Sequence, residues 1–255
     1  MIYLKTPEEI IKIKKAGQIL AVTAKQILDL AQPGVKLKYL DTVAKNLIEK
    51  AGGEPAFLNY FPYGASKPYL CSLCTSVNDV VVHGTPGEYK LKNGDILKLD
   101  FGVRYDGYNA DAAWTAPIGS VSPEAQKLID TTREALNRGI KAAEAGRKLG
   151  DIGYAIESYT KSQGFKVIEG LTGHGIGKEI HEDPVVMNEG KRGTGLKLEP
   201  GLVIAIEPMI SIGASRITQL PDDSYATADG SLSAHFEHTI AITESGTEIL
   251  TEFDS

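Results

Sequence analysis

Asp100, Asp111, His174, Glu207 and Glu237 are the residues of this chain best suited to chemistry. Four are carboxylates and one is an imidazole, and each lies in or beside an apolar or glycine-rich segment rather than in a solvated charge run. A carboxylate in an apolar setting is costly unless something compensates its charge. Four such positions with a histidine point to bound metal as that compensation, and so to a metalloenzyme.

The segment Leu97–Thr115 reads as the β-hairpin that positions the first two. Asp106-Gly107 suits a two-residue turn, because a type I′ turn needs positive φ at both central positions. That register sets Asp111 opposite Gly102, with Asp100 two residues further along the same face. The carboxylates are then diagonal neighbours with Cβ atoms roughly 7–8 Å apart or somewhat less. Both can converge on one ion, or on two ions about 3.5–4 Å apart. Leu97, Leu99, Phe101 and Val103 form the opposite face, while small Gly102 and Ala113 leave room beside the acids.

Gly173-His174-Gly175-Ile176-Gly177 fits neither phosphate-binding pattern. Thr172 stands where a P-loop needs glycine, Glu179 replaces its Ser/Thr, and the spacing is wrong for a dinucleotide fingerprint. What remains is a histidine on a tight backbone, clear of neighbouring side chains. His181 follows as a second ligand or a hydrogen-bond donor. Glu207 ends the apolar run Val203–Ile206, Glu237 lies in Phe236–Thr243, and His83 follows Val80-Val81-Val82.

Thr6-Pro7-Glu8-Glu9 marks a helix start with a capping box, and apolar residues at helical spacing continue it toward Leu30. A second helix runs from Leu37 until Gly52-Gly53 ends it. Ser122-Pro123-Glu124 repeats the device for a third, and a short fourth stops at Gly164. Gly34, Lys36, Leu37 and Gly52 match Gly146, Lys148, Leu149 and Gly164 at one constant offset. Asp100 and Glu207 likewise stand equally far beyond the turn glycines Gly94 and Gly201. The pattern predicts two helix-helix-strand halves, roughly 1–117 and 118–255, sharing one curved sheet.

At 255 residues, 42% hydrophobic and 24% charged, the chain is long enough for one large domain. A net charge of −6 argues against a nucleic-acid substrate, and the lysines of residues 12–15 read as a solvated helix face. The start lacks the apolar stretch of a signal peptide and no segment approaches a membrane span, so a cytoplasmic location is expected. Cys71 and Cys74 form a single C-x-x-C, too few for a four-cysteine zinc site, and read as reduced thiols near a packed strand.

Residues 74–84 (CTSVNDVVVHG), the LDFG…YNADAAWT hairpin, GHGIG, HEDPVV, IEPM and SLSAHFEHT together resemble the type I methionine aminopeptidases, over essentially the whole chain and in the family's order. The resemblance implies an α+β pita-bread fold, with pseudo-twofold halves around a mainly antiparallel sheet and a single catalytic domain over 1–255. It implies two divalent ions (Co, Mn, Fe or Zn) held by Asp100, Asp111, His174, Glu207 and Glu237, with Asp111 and Glu237 bridging. Hydroxide would attack the first peptide bond, Glu207 would move protons, His181 would polarise the carbonyl and His83 would contact the amide nitrogen. Cys74, Tyr60 and Tyr63 are the methionine-pocket candidates. The partners implied are peptide and nascent-protein N-termini, with the ribosome as a further candidate, no nucleic acid, no membrane, and a monomeric state. Two departures stand out: a longer stretch at 64–71, and Asp223 where the family often has a pocket-edge tryptophan. Rival readings are a proline-directed peptidase, a binding protein or a metal-free hydrolase of the same fold. A substrate panel with several metals separates them.

Overall fold

The computed structural model describes residues 2–61 and 67–253. Tyr63 and residues 64–66 of the long stretch lie outside the described residues.

Helix α1 (Pro7–Leu30) begins with the expected capping box: the Thr6 hydroxyl accepts from the Glu9 amide, and the Glu9 carboxylate accepts from the Thr6 amide. Helix α2 (Leu37–Lys50) and the short strands β1 (Glu54–Pro55), β2 (Cys74–Val77) and β3 (Val80–Val82) follow. The hairpin forms from β4 (Ile96–Tyr105) and β5 (Tyr108–Pro117). Helix α3 (Pro123–Ala142) starts on Ser122, whose hydroxyl accepts from the Ala125 amide, and α4 (Leu149–Ser162) completes the second helix pair. Short strands come next: β6 (Lys166–Val167), β7 (Gly173–Gly175), β8 (Glu182–Val186), β9 (Val203–Ile206) and β10 (Met209–Ser211). The last are β11 (Ile217–Gln219), β12 (Tyr225–Thr227), β13 (Ser233–His235), β14 (Glu237–Thr243) and β15 (Gly246–Ile249).

The main sheet runs β1-β4-β5-β14-β9-β7-β8, with β2 beside β4 and β15 beside β14. Every pairing in it is antiparallel. Ile13, Leu20 and Ile27 of α1 share one core with Leu97, Leu99 and Phe101, all fully buried. Burying one such side chain is worth about 1.5–3 kcal/mol. The helices therefore take one face of β4 and leave Lys98, Asp100 and Gly102 on the other.

The duplication is visible in the backbone. The Gly34 amide donates to Leu91, Leu91 to Val35, and Leu37 to Tyr89. In the second half Gly146 donates to Leu198, Leu198 to Arg147, and Leu149 to Leu196. The isolated bridges Lys36–Lys90 and Lys148–Lys197 occupy the matching places. Each helix pair is thus fastened by the same device to the segment that leads into its acidic strand.

Candidate metal centre

In the hairpin, Asp106 (φ 47°) and Gly107 (φ 80°) adopt the positive-φ turn, and the register pairs Gly102 with Asp111 and Asp100 with Ala113. β14 joins on the other side of β5, pairing Glu237 with Ala113. β9 pairs with β14 and ends at Ile206, so Glu207 follows directly, and β7 beside β9 carries His174. Five neighbouring strands, in the order β4, β5, β14, β9 and β7, thus place Asp100, Asp111, Glu237, Glu207 and His174. His181 immediately precedes β8, the next strand.

Their donor atoms converge. One oxygen each from Asp100, Asp111 and Glu237 lie within 4.8 Å of one another, as do donor atoms of His174, Glu207 and Glu237. A third group, Asp111, His174 and His181, meets the same limit. Asp111, His174 and Glu237 are each shared between two groups. Asp111 and Glu237 are 2% and 1% exposed, and Asp111 Oδ1 and Glu237 Oε1 have no hydrogen-bond partner among the described residues.

Burial pushes both Asp111 and Glu237 well above the usual carboxylate range, and the neighbouring carboxylates add to the rise. Asp100 is pushed up to about 7 by burial, with His235 opposing and Glu207 adding. Glu207 also rises to about 7 through burial, opposed by His174. Two like charges about 4 Å apart at an effective dielectric near 20 repel by roughly 4 kcal/mol. Four ionised carboxylates here require a cation, and oxygen donors with one imidazole suit a divalent metal.

His174 strengthens that fit. Its Nδ1 lies 2.9 Å from the Gly175 carbonyl oxygen, which can only accept, so Nδ1 carries a hydrogen and the neutral ring has its lone pair on Nε2. That Nε2 stands 3.4 Å from Glu207 Oε1 and 4.0 Å from Glu237 Oε1. A lone pair facing two carboxylates is the arrangement a metal ion completes.

The backbone around the donors is locked. The Thr239 hydroxyl donates to the Asp111 carbonyl and accepts from the Asp111 amide, and Thr115 does the same for His235. Asn109 donates from its amide to Gly177 and from its side chain to Gly177 and Lys178, stapling the segment between His174 and His181 to β5. Glu182, next to His181, forms a 2.5 Å ion pair with buried Lys5. The tight backbone expected around His174 is strand β7. A Cβ at Gly173 would collide with the Ala205 carbonyl, and one at Gly175 with the Asp183 carbonyl, so the glycines admit neighbouring backbone.

At the mouth of the site the His181 and His174 rings meet edge to face, 4.4 Å between centroids. His181 Nδ1 lies 2.7 Å from the Tyr60 hydroxyl. Desolvation by the packing around it, then the charges of His174 and His83, hold His181 below its ordinary pKa. His83 (φ 61°) follows β3, and its ring stands edge-on to Tyr225 of β12. Cys74 is buried and pairs across the ladder with Asp100. Asp223 lies in the turn between β11 and β12, where it accepts from Gln219 at 3.3 Å. That hairpin docks on β3, so the turn belongs to the rim near His83.

The sequence reading missed His235. It is 1% exposed, and its Nε2 lies 3.6 Å from Glu207 Oε2 and 3.9 Å from Glu237 Oε2. His174 faces the Oε1 atoms of the same two glutamates, so two imidazoles flank one carboxylate pair. Both ring nitrogens of His235 lack a hydrogen-bond partner among the described residues, and burial holds its pKa down at about 4. The available signal was its place two residues before Glu237, the spacing that returns an extended chain to one face.

Comparison with known proteins gives this site its context. Residues 11–244 match the model of metallopeptidase family M24. The methionine aminopeptidase of Aquifex aeolicus is 46% identical over 257 residues, covering 98% of this chain and 99% of that protein. Methionine aminopeptidase 1 of Bacillus subtilis is 41% identical over 252 residues, with the same coverage. The crystal structure of the methionine aminopeptidase from Thermotoga maritima superposes with a TM-score of 0.94 at 42% identity, covering 99% of this chain and all of that one.

Proposed function

The chain belongs to metallopeptidase family M24 and removes N-terminal methionine from polypeptides with divalent metal, and we propose that it does so at the centre formed by β4, β5, β14, β9 and β7. Asp100, Asp111 and Glu237 would hold one ion. His174 and Glu207, with Glu237 and Asp111 shared, would hold a second. The carrying observation is that five adjacent strands each bring one donor side chain to a common point.

Bound divalent metal supplies Lewis acidity that makes water nucleophilic near neutral pH, whichever of Co, Mn, Fe or Zn is present. Glu207 would take a proton from the attacking water and return it to the departing amine, a role its place directly after β9 and beside His174 allows. With the Tyr60 hydroxyl donating to Nδ1 of His181, the proton sits on Nε2, which donates to the scissile carbonyl and stabilises the oxyanion. His83 contacts the scissile amide nitrogen. Cys74 beside Asp100 and Tyr60 beside His181 would line the methionine side-chain pocket.

The remaining assignments follow from the same reading. The chain works as one catalytic domain over 1–255, as a monomer, in the cytoplasm, on the N-termini of peptides and of nascent proteins at the ribosome. No helix among the described residues is long and apolar enough to cross a membrane.

A panel of Met-Ala-Ser and Xaa-Pro peptides, assayed with each metal and with a chelator, tests this function. Methionine release that chelation abolishes and divalent ions restore is the expected result. Equal or faster cleavage of the Xaa-Pro peptides overturns it.

A further inference from the structure

Lys98 is a buried lysine that the proposed reaction does not use. It lies on β4 two residues before Asp100, on the same face of the strand, and is 1% exposed. Its Nζ donates to the Asn78 carbonyl at 2.6 Å, to the Ser233 carbonyl at 2.9 Å and to the Ser233 hydroxyl at 3.3 Å. These acceptors belong to two other segments. Asn78 (φ 54°) forms the turn between β2 and β3, and β3 leads to His83. Ser233 opens β13, which leads through His235 to Glu237.

The two segments also touch each other. The Ser233 amide donates to the Asn78 carbonyl at 3.1 Å, and the Ser233 hydroxyl lies 3.3 Å from the same oxygen. Asn78 is anchored to the start of β4, its side chain donating to Asp95 and accepting from the Ile96 amide. The strand that carries Asp100 and two segments that lead on to His83 and Glu237 therefore meet around one nitrogen.

We infer that Lys98 is a positioning residue, whose Nζ ties the Asn78 turn to the Ser233 strand and so holds His83 and Glu237 in register with Asp100. The inference rests on the roles proposed above for His83 and Glu237. Carbonyl oxygens only accept, so an apolar side chain of equal length would fill the space and leave Nζ's acceptors without their buried donor. Burial pulls the Lys98 pKa down to about 7, opposed by Asp79. In either protonation state Nζ has enough hydrogens for both carbonyls. The matching position of the second half is Ala205, fully buried and without a donor side chain, so only one half carries this tie.

Lys98→Met tests the tie, because methionine has similar length and no donor. The expected result is a folded protein with faster amide hydrogen exchange in residues 78–84 and 231–236 than in the parent. Its kcat on Met-Ala-Ser falls by about tenfold to a hundredfold, the scale of a catalytic group displaced by an ångström, while KM changes by less than about threefold. In Lys98→Ala, n-propylammonium, the fragment removed, restores kcat and slows exchange in the same two segments. Unchanged exchange in Lys98→Met overturns the inference, as does kcat within about twofold of the parent. Equal losses in kcat and KM with no response of Lys98→Ala to the amine also overturn it, since they mark a role in folding alone. Hydrogen exchange reads the tie without turnover, so a parent that releases no methionine counts against the functional reading and leaves this test intact.

Discussion

The two halves start alike and finish differently. Both fasten a helix pair to the approach of an acidic strand through the same backbone hydrogen bonds. The first half then runs an unbroken ladder from Ile96–Pro117 to Tyr105–Tyr108 and presents two aspartates from it. In the second half β7 has three residues, β9 four, and the pairing of β7 with β8 shifts register between Gly173 and Gly175. That half supplies both glutamates and all the imidazoles at the carboxylates. The long hairpin thus holds short, purely anionic side chains, whereas the second half presents longer and chemically mixed ones, Glu237 from seven-residue β14 and the others at shorter strands. A duplicated scaffold has kept its fastening and divided the donor chemistry.

The largest effect should come from the residue that joins the halves. Glu237 pairs with β5 of the first half and shares donor groups with residues of both. Glu237→Gln is expected to reduce methionine release to background and to weaken Mn²⁺ binding at both sites by titration calorimetry. Asp100→Asn, which alters a donor of one group only, should retain binding at the other. Equal metal loss in the two variants would break the distinction between shared and unshared donors.

Next in size is Glu207→Gln, expected to lower kcat by about 10²–10⁴ through loss of proton transfer. Its Mn²⁺ affinity should fall less than that of Glu237→Gln. His181→Ala should lower kcat by about 10²–10³, the usual loss for one oxyanion donor, with metal stoichiometry unchanged. A metal deficit in His181→Ala would move it among the ligands, where its proximity to Asp111 and His174 makes that outcome measurable.

The smallest effects compare the two scaffolds directly. A Cβ at Gly175 meets the backbone of Asp183, which cannot rotate away. At Gly102 it meets the Ile180 side chain at 2.9 Å and Ala56 Cβ at 3.0 Å, of which Ile180 can shift. Gly175→Ala should cost about 3 kcal/mol in urea unfolding and Gly102→Ala about 1 kcal/mol. The reverse order would show that the regular hairpin is the less tolerant half.

Local signals made the hairpin legible. Asp106-Gly107 specifies a turn that few other dipeptides accept, and the two-residue period of the strands carries the aspartates onto one face. Thr6, Pro7 and Glu9 declared α1 in the same way. The short strands β7, β8 and β10 to β13 carry too few residues for any period to emerge, and glycine or proline interrupts two of them. Their conformation is set by neighbours distant in sequence, as the Ala205 carbonyl does for Gly173. His235 ends three-residue β13 with only its spacing from Glu237 as a signal, and Lys98, on the legible β4, has no local mark of its role. Each is defined by what surrounds it, the glutamate pair in one case and residues 78 and 233 in the other.

One donor from each of five adjacent strands has a consequence for the chain's own synthesis. The β4–β5 hairpin and the strands that meet it at the centre are far apart in sequence, and β14, which lies between β5 and β9, is among the last made. No partial chain can assemble the donor set, because residues up to 236 lack Glu237. If hydrolysis takes place at this centre as proposed, the capacity for it arrives only once β14 has joined β5 and β9. An exopeptidase built this way is safeguarded by its topology, with no detachable inhibitory segment required.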